Sequence, residues 1–138
     1  MIRSFAVSIS IMAALGIGGM AQAQMAEDEF AAGRAEYMAA CAACHGEALD
    51  GNGPIAIMFS GKVPHLTQLS KDNDGVFPTL AVFQTIDGRA KIKAHGDPMP
   101  LFGNRYTVES GVFGPYGAEP AVRARILELV YFLQSVQE

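Results

Sequence analysis

The chain contains only two cysteines among its 138 residues, and they are separated by only two positions. A structural zinc site usually takes four Cys or His ligands, and no third cysteine is present to supply a second Cys pair. A thioredoxin-like Cys-x-x-Cys motif needs a βαβ setting, and no strand pattern is visible in the sequence. The sequence therefore gives little support to a zinc site or a redox disulfide at this cysteine pair.

The chain also lacks a surplus of positive charge. Its 10 Lys and Arg residues face 14 Asp and Glu residues, for a formal net charge of −4. Proteins that bind nucleic acid usually carry a basic patch or stripe. The charge balance therefore argues against nucleic acid as a partner.

No apolar run is long enough to predict a membrane-spanning helix. The stretch from Phe5 to Met20 is interrupted by Ser8 and Ser10 and falls short of the ~20 residues that a spanning helix needs. Small residues follow in Ala21-Gln22-Ala23, as a signal peptidase site requires. We predict that residues 1–23 are a cleaved secretory signal peptide, which gives a periplasmic protein without stable membrane insertion. An uncleaved anchor is the alternative.

The remaining residues, 24–138, contain no internal repeat, low-complexity tract or linker, so we predict one domain. Apolar and charged periodicities predict a first helix from about Glu27 to Cys44, a short helix from Thr79 to Asp87, and a last helix starting at Pro120. The last helix has a predicted buried stripe of Val122, Ile126, Leu129, Leu133 and Val136. Gly33 costs roughly 1 kcal/mol relative to Ala inside a helix, which suggests close approach of this terminal helix.

The two cysteines belong to the run Cys41-Ala42-Ala43-Cys44-His45. This spacing is typical of covalent attachment of a c-type haem. Each thiol can form a thioether to a haem vinyl group, and the adjacent histidine becomes the proximal iron ligand. We therefore predict one covalent haem c at Cys41 and Cys44, with His45 bound to the iron.

Three methionines are candidates for the opposite face of the iron. Met38 lies only seven residues before His45 and is expected on the proximal helix. Met58 lies in the apolar run Ile55-Ala56-Ile57-Met58-Phe59, which we interpret as core. Met99 lies between two prolines in a turn-forming segment that could hold a thioether against iron. His65 and His95 also compete for this position, although a turn or exposed histidine is the commoner outcome for each.

In these features the chain resembles the small class I cytochromes c over essentially all of residues 24–138. The matching positions are Gly33, Tyr37, the haem motif with Gly46, Asp50 to Pro54, Pro64 to Thr67, Met99-Pro100 and Tyr131 to Leu133. The resemblance implies an all-α fold in which the first and last helices cross around one haem. It further implies His45 and Met99 as axial ligands, and a loop carbonyl near Gly53 or Pro54 as acceptor for the second His45 nitrogen.

These features predict an electron carrier that transforms no substrate and exchanges electrons with a redox protein donor and acceptor. One alternative is a cytochrome subunit of a periplasmic dehydrogenase or oxidase complex, for which Phe113 and Tyr116 would be docking residues if exposed. Another is a gas-binding or peroxidatic haem protein with an open sixth position. Arg89, Lys91 and Lys93 form a basic cluster that we interpret as an ordinary solvated charge run, with the steering of an acidic partner as the alternative.

Overall fold

The computed structural model describes residues 29–89, 99–111 and 117–138. In this part of the chain the regular structure is entirely helical, which confirms the predicted all-α class. The α-helices are α1 (Ala31–Ala40), α2 (Ala42–His45), α3 (Thr79–Asp87), α4 (Phe102–Glu109) and α5 (Ala118–Ser135). Short 3-10 turns cover Ala56–Met58, Leu66–Gln68 and Lys71–Asn73. The predicted signal peptide at residues 1–23 lies outside the described residues.

The first helix is shorter than predicted, and it is divided in two. Glu29 and Phe30 form a turn before α1, whereas Glu27 and Asp28 lie outside the described residues. Cys41 interrupts the helix with φ −117° and ψ −35°. The chain restarts as α2 through bonds from the amides of Cys44 (3.1 Å) and His45 (2.9 Å) to the Cys41 carbonyl. The motif therefore has its own helical turn.

Helices α3 and α5 agree closely with the prediction. α3 has the predicted bounds, and α5 begins at Ala118, two residues before Pro120. Proline is tolerated there because the first-turn amides of a helix have no intrahelical acceptor. The buried face of α5 is wider than the predicted stripe, since Val130 and Phe132 are also buried. Val136 is only partly buried.

Helix α4 was not predicted from the sequence. Its buried residues are Phe102, Gly103 and Tyr106. The aromatic rings of Phe102 and Tyr106, one helical turn apart, lie 5.6 Å from each other. This short helix is hard to predict from the sequence, because it lies around Pro100 and Gly103 and both residue types are more typical of loops.

Helices α1 and α5 form the most extensive helix contact in the described structure. A Cβ atom added at Gly33 would lie 2.7 Å from the Cβ of Phe132 and would collide with the carbonyl oxygen of Glu128. Tyr37, one turn later, places its ring 5.6 Å from that of Phe132. The predicted close approach at Gly33 is therefore confirmed.

The interpretation of residues 55–59 as core is wrong. Ile57 is 91% exposed and Met58 is 77% exposed. Their 3-10 turn is attached to α2 through the backbone, by a bond of 3.1 Å from the Ile55 amide to the Ala43 carbonyl. Because backbone bonds hold this turn, its apolar side chains remain in solvent.

The glycine contact gives a stability prediction. Gly33→Ala should destabilise the protein by up to about 2 kcal/mol, because an overpacking cost of about 1–3 kcal/mol is only partly offset by the roughly 1 kcal/mol by which alanine favours a helix. Denaturant unfolding followed by far-UV circular dichroism measures the change. Ala35→Ser is the matched control, since it also adds one heavy atom but at an exposed α1 position. An equal or more stable Gly33→Ala variant would show that the two helices can separate at no cost.

Candidate haem site

Two adjoining cavities, of about 400 Å³ and about 270 Å³, lie among the helices. Together they fall within the size range of cofactor sites. Both are lined by Cys41, His45, Pro64, Thr85 and Met99, and Cys44 also lines the larger one. The folded chain thus brings all four predicted site residues to one cavity system.

The walls of the cavities are mainly apolar. Helix α3 contributes Val82 and Ile86, and α5 contributes Leu129 and Leu133. Phe102 of α4 closes part of the larger cavity. Such walls fit a large apolar plate, and they fit a hydrated metal ion poorly. Among the described residues, no cluster of three or more His, Cys, Asp or Glu side chains could hold a metal ion.

His45 makes its hydrogen bond to Pro64. Its Nδ1 lies 3.2 Å from the Pro64 carbonyl oxygen. A carbonyl can only accept, so Nδ1 carries the proton and the lone pair of Nε2 is free for a metal. Burial lowers the pKa of His45, and the bond to Pro64 opposes this effect. The lowered pKa favours the neutral imidazole that iron requires.

The predicted acceptor near Gly53 or Pro54 is therefore wrong. That loop instead bonds to the carbonyls at the end of α2. The amide of Gly53 donates to Cys44 (3.1 Å), and that of Gly51 donates to His45 (2.8 Å). A Cβ added at Gly53 would lie 2.6 Å from the carbonyl carbons of Ala43 and Cys44, so a side chain would push the loop away.

Tyr37, one of the positions that the chain shares with the class I cytochromes c, also supports this loop. The Tyr37 hydroxyl donates to the Gly46 carbonyl at 2.6 Å, and its side chain is buried. Burial raises the pKa of Tyr37 well above its usual value, so the hydroxyl stays protonated and able to donate. Tyr37 thereby joins α1, α5 and the segment after the motif.

The segment that presents the Pro64 carbonyl is also anchored. The amide of Leu66 donates to Leu49 (2.7 Å), and Gln137 donates a side-chain bond to Leu66 (2.8 Å). His65 hydrogen-bonds Thr67 through Nδ1 at 3.1 Å and does not line either cavity. Its position before a 3-10 turn agrees with the expected turn histidine. His95 lies outside the described residues.

The two thiols differ from those of a redox-active pair. Cys41 and Cys44 form no disulfide. Burial, followed by the charges of Glu36 and Cys44, raises the pKa of the Cys41 thiol to about 12. Cysteines that exchange disulfides have a lowered pKa instead. The Cys41 thiol is therefore unlike the activated thiol of a disulfide-exchanging pair.

Of the three candidate methionines, only Met99 borders the cavities. It is partly buried and packs against the core. Met38 is 46% exposed and Met58 is 77% exposed, and neither lines these cavities. Among the methionines of the described chain, Met99 alone is therefore located where it could face His45 across a bound group.

Arg89, one of the three residues of the basic cluster, forms ion pairs within the fold. It donates to Asp87 (2.7 Å) and forms two bonds to Glu119 (2.7 and 3.1 Å). These ion pairs connect the end of α3 to the start of α5. Lys91, Lys93, Phe113 and Tyr116 lie outside the described residues, so their proposed roles remain predictions.

Comparison with known proteins identifies the family. The family model described as Cytochrome c matches residues 30–107, a segment that includes the motif at Cys41–His45 and also Met99. No curated protein and no solved structure matches the chain. No helix in the described part of the chain is long and apolar enough to cross a membrane. Because the match covers more than half of the chain, this protein belongs to the cytochrome c family of haem-based electron-transfer proteins and carries a covalently attached haem c with its iron.

Proposed function

We propose that this protein is a periplasmic class I cytochrome c, an electron carrier in which His45 and Met99 are the axial ligands of one haem. The observation that carries the proposal is that His45, Met99 and both cysteines border one apolar cavity system. The predicted signal peptide at residues 1–23 supports export to the periplasm.

Each site residue has a defined task. Cys41 and Cys44 would fix the haem covalently, so that it cannot leave during repeated oxidation and reduction. His45 keeps its orientation and tautomer through its Nδ1–H bond to Pro64. Met99 supplies a soft thioether, which favours the reduced state and raises the reduction potential. When bound, the haem supplies one-electron chemistry between Fe(II) and Fe(III).

This ligand set favours electron transfer over the binding of small molecules. With His45 and Met99 both bound, the iron has no vacant position for oxygen or peroxide. The helices that line the cavities, α3 and α5, pack against each other. A rigid site of this kind needs little rearrangement when the electron arrives or leaves. A gas-binding or peroxidatic role would require displacement of Met99.

A surface beside the cavity supports docking of a redox protein partner. The exposed side chains of Ile57 and Met58 lie on a turn packed against α2. Lys62, which is also exposed, lines the larger cavity. Among the described residues, Lys62 makes no ion pair. We define Ile57, Met58 and Lys62 as the rim surface, which suits a partner with an apolar patch and nearby carboxylates.

The ligand assignment can be tested by spectroscopy. Met99→Ala should abolish the far-red charge-transfer band of thioether-bound ferric iron and allow cyanide or imidazole to bind more readily. Met58→Ala and Met38→Ala are matched controls that should keep the band, because both side chains lie outside the cavities. If the band persists in Met99→Ala, another residue holds the sixth position and the proposed ligation is wrong.

The rim surface can be tested with small redox reagents. Lys62→Glu should slow oxidation by the anionic complex hexacyanoferrate by roughly two- to fivefold at low salt, because a cation beside the cavity attracts an anion. The effect should reverse with a cationic cobalt complex and shrink as salt rises. Lys71→Glu, an exposed lysine that does not line the cavities, should change both rates little. If the two variants change the rates equally, Lys62 contributes only to the general surface charge and has no special role beside the cavity.

A cytochrome subunit of a dehydrogenase complex has the same site chemistry, so these tests do not distinguish it from a free carrier. Purification from native periplasm with partners retained does so. A free carrier should elute at the size of the mature monomer, whereas a subunit should elute with a stable partner protein.

A further inference from the structure

A cluster of charged residues joins α1, α4 and α5. Arg125 donates from Nε to Glu36 at 2.8 Å and from Nη1 to Glu109 at 2.7 Å. Arg105 donates to Glu109 at 2.6 Å, and the Tyr106 hydroxyl donates to Glu36 at 2.7 Å. We call these five residues the charge cluster. Its two carboxylates and two guanidinium groups balance in formal charge.

The two carboxylates of the charge cluster differ in their environment. The Glu36 side chain is 13% exposed, whereas that of Glu109 is 37% exposed. Glu36 accepts a second bond from Arg125 at 3.2 Å, in addition to those from Nε and from Tyr106. Three hydrogen bonds compensate its desolvation. Water and salt therefore screen the charge of Glu36 less than that of Glu109.

The partly buried carboxylate of Glu36 lies close to the haem attachment site in the fold. Glu36 precedes Tyr37, whose carbonyl accepts the amide of Cys41 at 2.8 Å. On the opposite side of the charge cluster, Tyr106 contacts Phe102, which lines the cavity together with Cys41. Glu36 is thus connected to the cavity wall on both sides, through Tyr37 to Cys41 and through Tyr106 to Phe102.

We propose that Glu36 tunes the reduction potential, because its partly buried carboxylate favours the ferric state and lowers the potential relative to a neutral side chain. Reduction adds one negative charge at the iron, and a poorly screened carboxylate nearby opposes that addition. Arg125 offsets part of this effect. The inference rests on the attached haem and the electron-transfer role, and it does not depend on whether Met99 is the sixth ligand.

The decisive variant is Glu36→Gln, which removes the charge while keeping the size and one acceptor oxygen. Its midpoint potential, measured by spectroelectrochemical titration of the haem protein, should shift upward. A purely structural role predicts the opposite direction, because loosened packing admits water, and water stabilises the more highly charged ferric site. The sign of the shift therefore separates the two roles.

Four further variants complete the test. Glu36→Asp keeps the charge, so its potential should stay near that of the wild type even if unfolding shows a loss of stability. Glu109→Gln removes the same charge from the more exposed carboxylate and should shift the potential less. Arg125→Gln removes the positive charge and should lower the potential further than Arg125→Lys, which disturbs the same hydrogen bonds but keeps the charge; this comparison replaces the test if Glu36→Gln does not fold.

The proposal is overturned if Glu36→Gln leaves the potential unchanged or lowers it, or if Glu36→Asp shifts it as far as Glu36→Gln does. The far-red band is recorded for every variant. A retained band shows that a change in potential does not arise from loss of the thioether ligand, which keeps this test separate from that of Met99.

Discussion

The hydrogen bonds at the end of α2 determine where the His45 imidazole lies. α2 is a single helical turn, too short to be stable alone, and its last carbonyls would otherwise have no partners. The following loop supplies them, through Ile55 to Ala43, Gly53 to Cys44 and Gly51 to His45. These bonds fix the backbone of the two cysteines and the histidine at once. The two cysteines and the proposed axial ligand His45 therefore share one support.

The same geometry explains why the histidine uses a distant acceptor. The nearby loop binds α2 through its amides, and among the described residues none of its carbonyls is a partner of the imidazole. The Pro64 carbonyl, 19 residues from His45, fills that role. Its segment is held by Leu49 and by Gln137 after the last helix. The orientation of His45 thus depends on contacts that extend to the end of the described chain.

Local features were the most predictable from the sequence. α3 follows from a short apolar periodicity and was predicted with the correct bounds, and the contiguous haem motif indicated the family whose model matches residues 30–107. The hydrogen-bond acceptor of His45 was not predicted correctly, because two proline-containing loops offer the same carbonyl chemistry and only the tertiary fold selects between them. Ile57 and Met58 were misread for a related reason, since an apolar run does not reveal whether backbone bonds hold it in solvent.

Helix α5 lies outside the segment matched by the family model, although the site depends on it. Leu129 and Leu133 form part of the cavity wall, and Gly33 allows α1 to approach α5 closely. Arg125 brings the partner charge to Glu36 from the same helix. Residues 30–107 contain the predicted ligands, but the apolar enclosure and the charge balance around them require the terminal helix.

The position of Met99 depends on how the ends of α3 and α4 meet. A Cβ at Gly88 would approach Leu101 to 2.5 Å, and one at Gly103 would lie 2.8 Å from the Asp87 carbonyl oxygen. The chain leaving α3 is therefore held against the chain entering α4, immediately beside Met99. This junction lies next to Met99, which is two residues before Leu101 and borders both cavities.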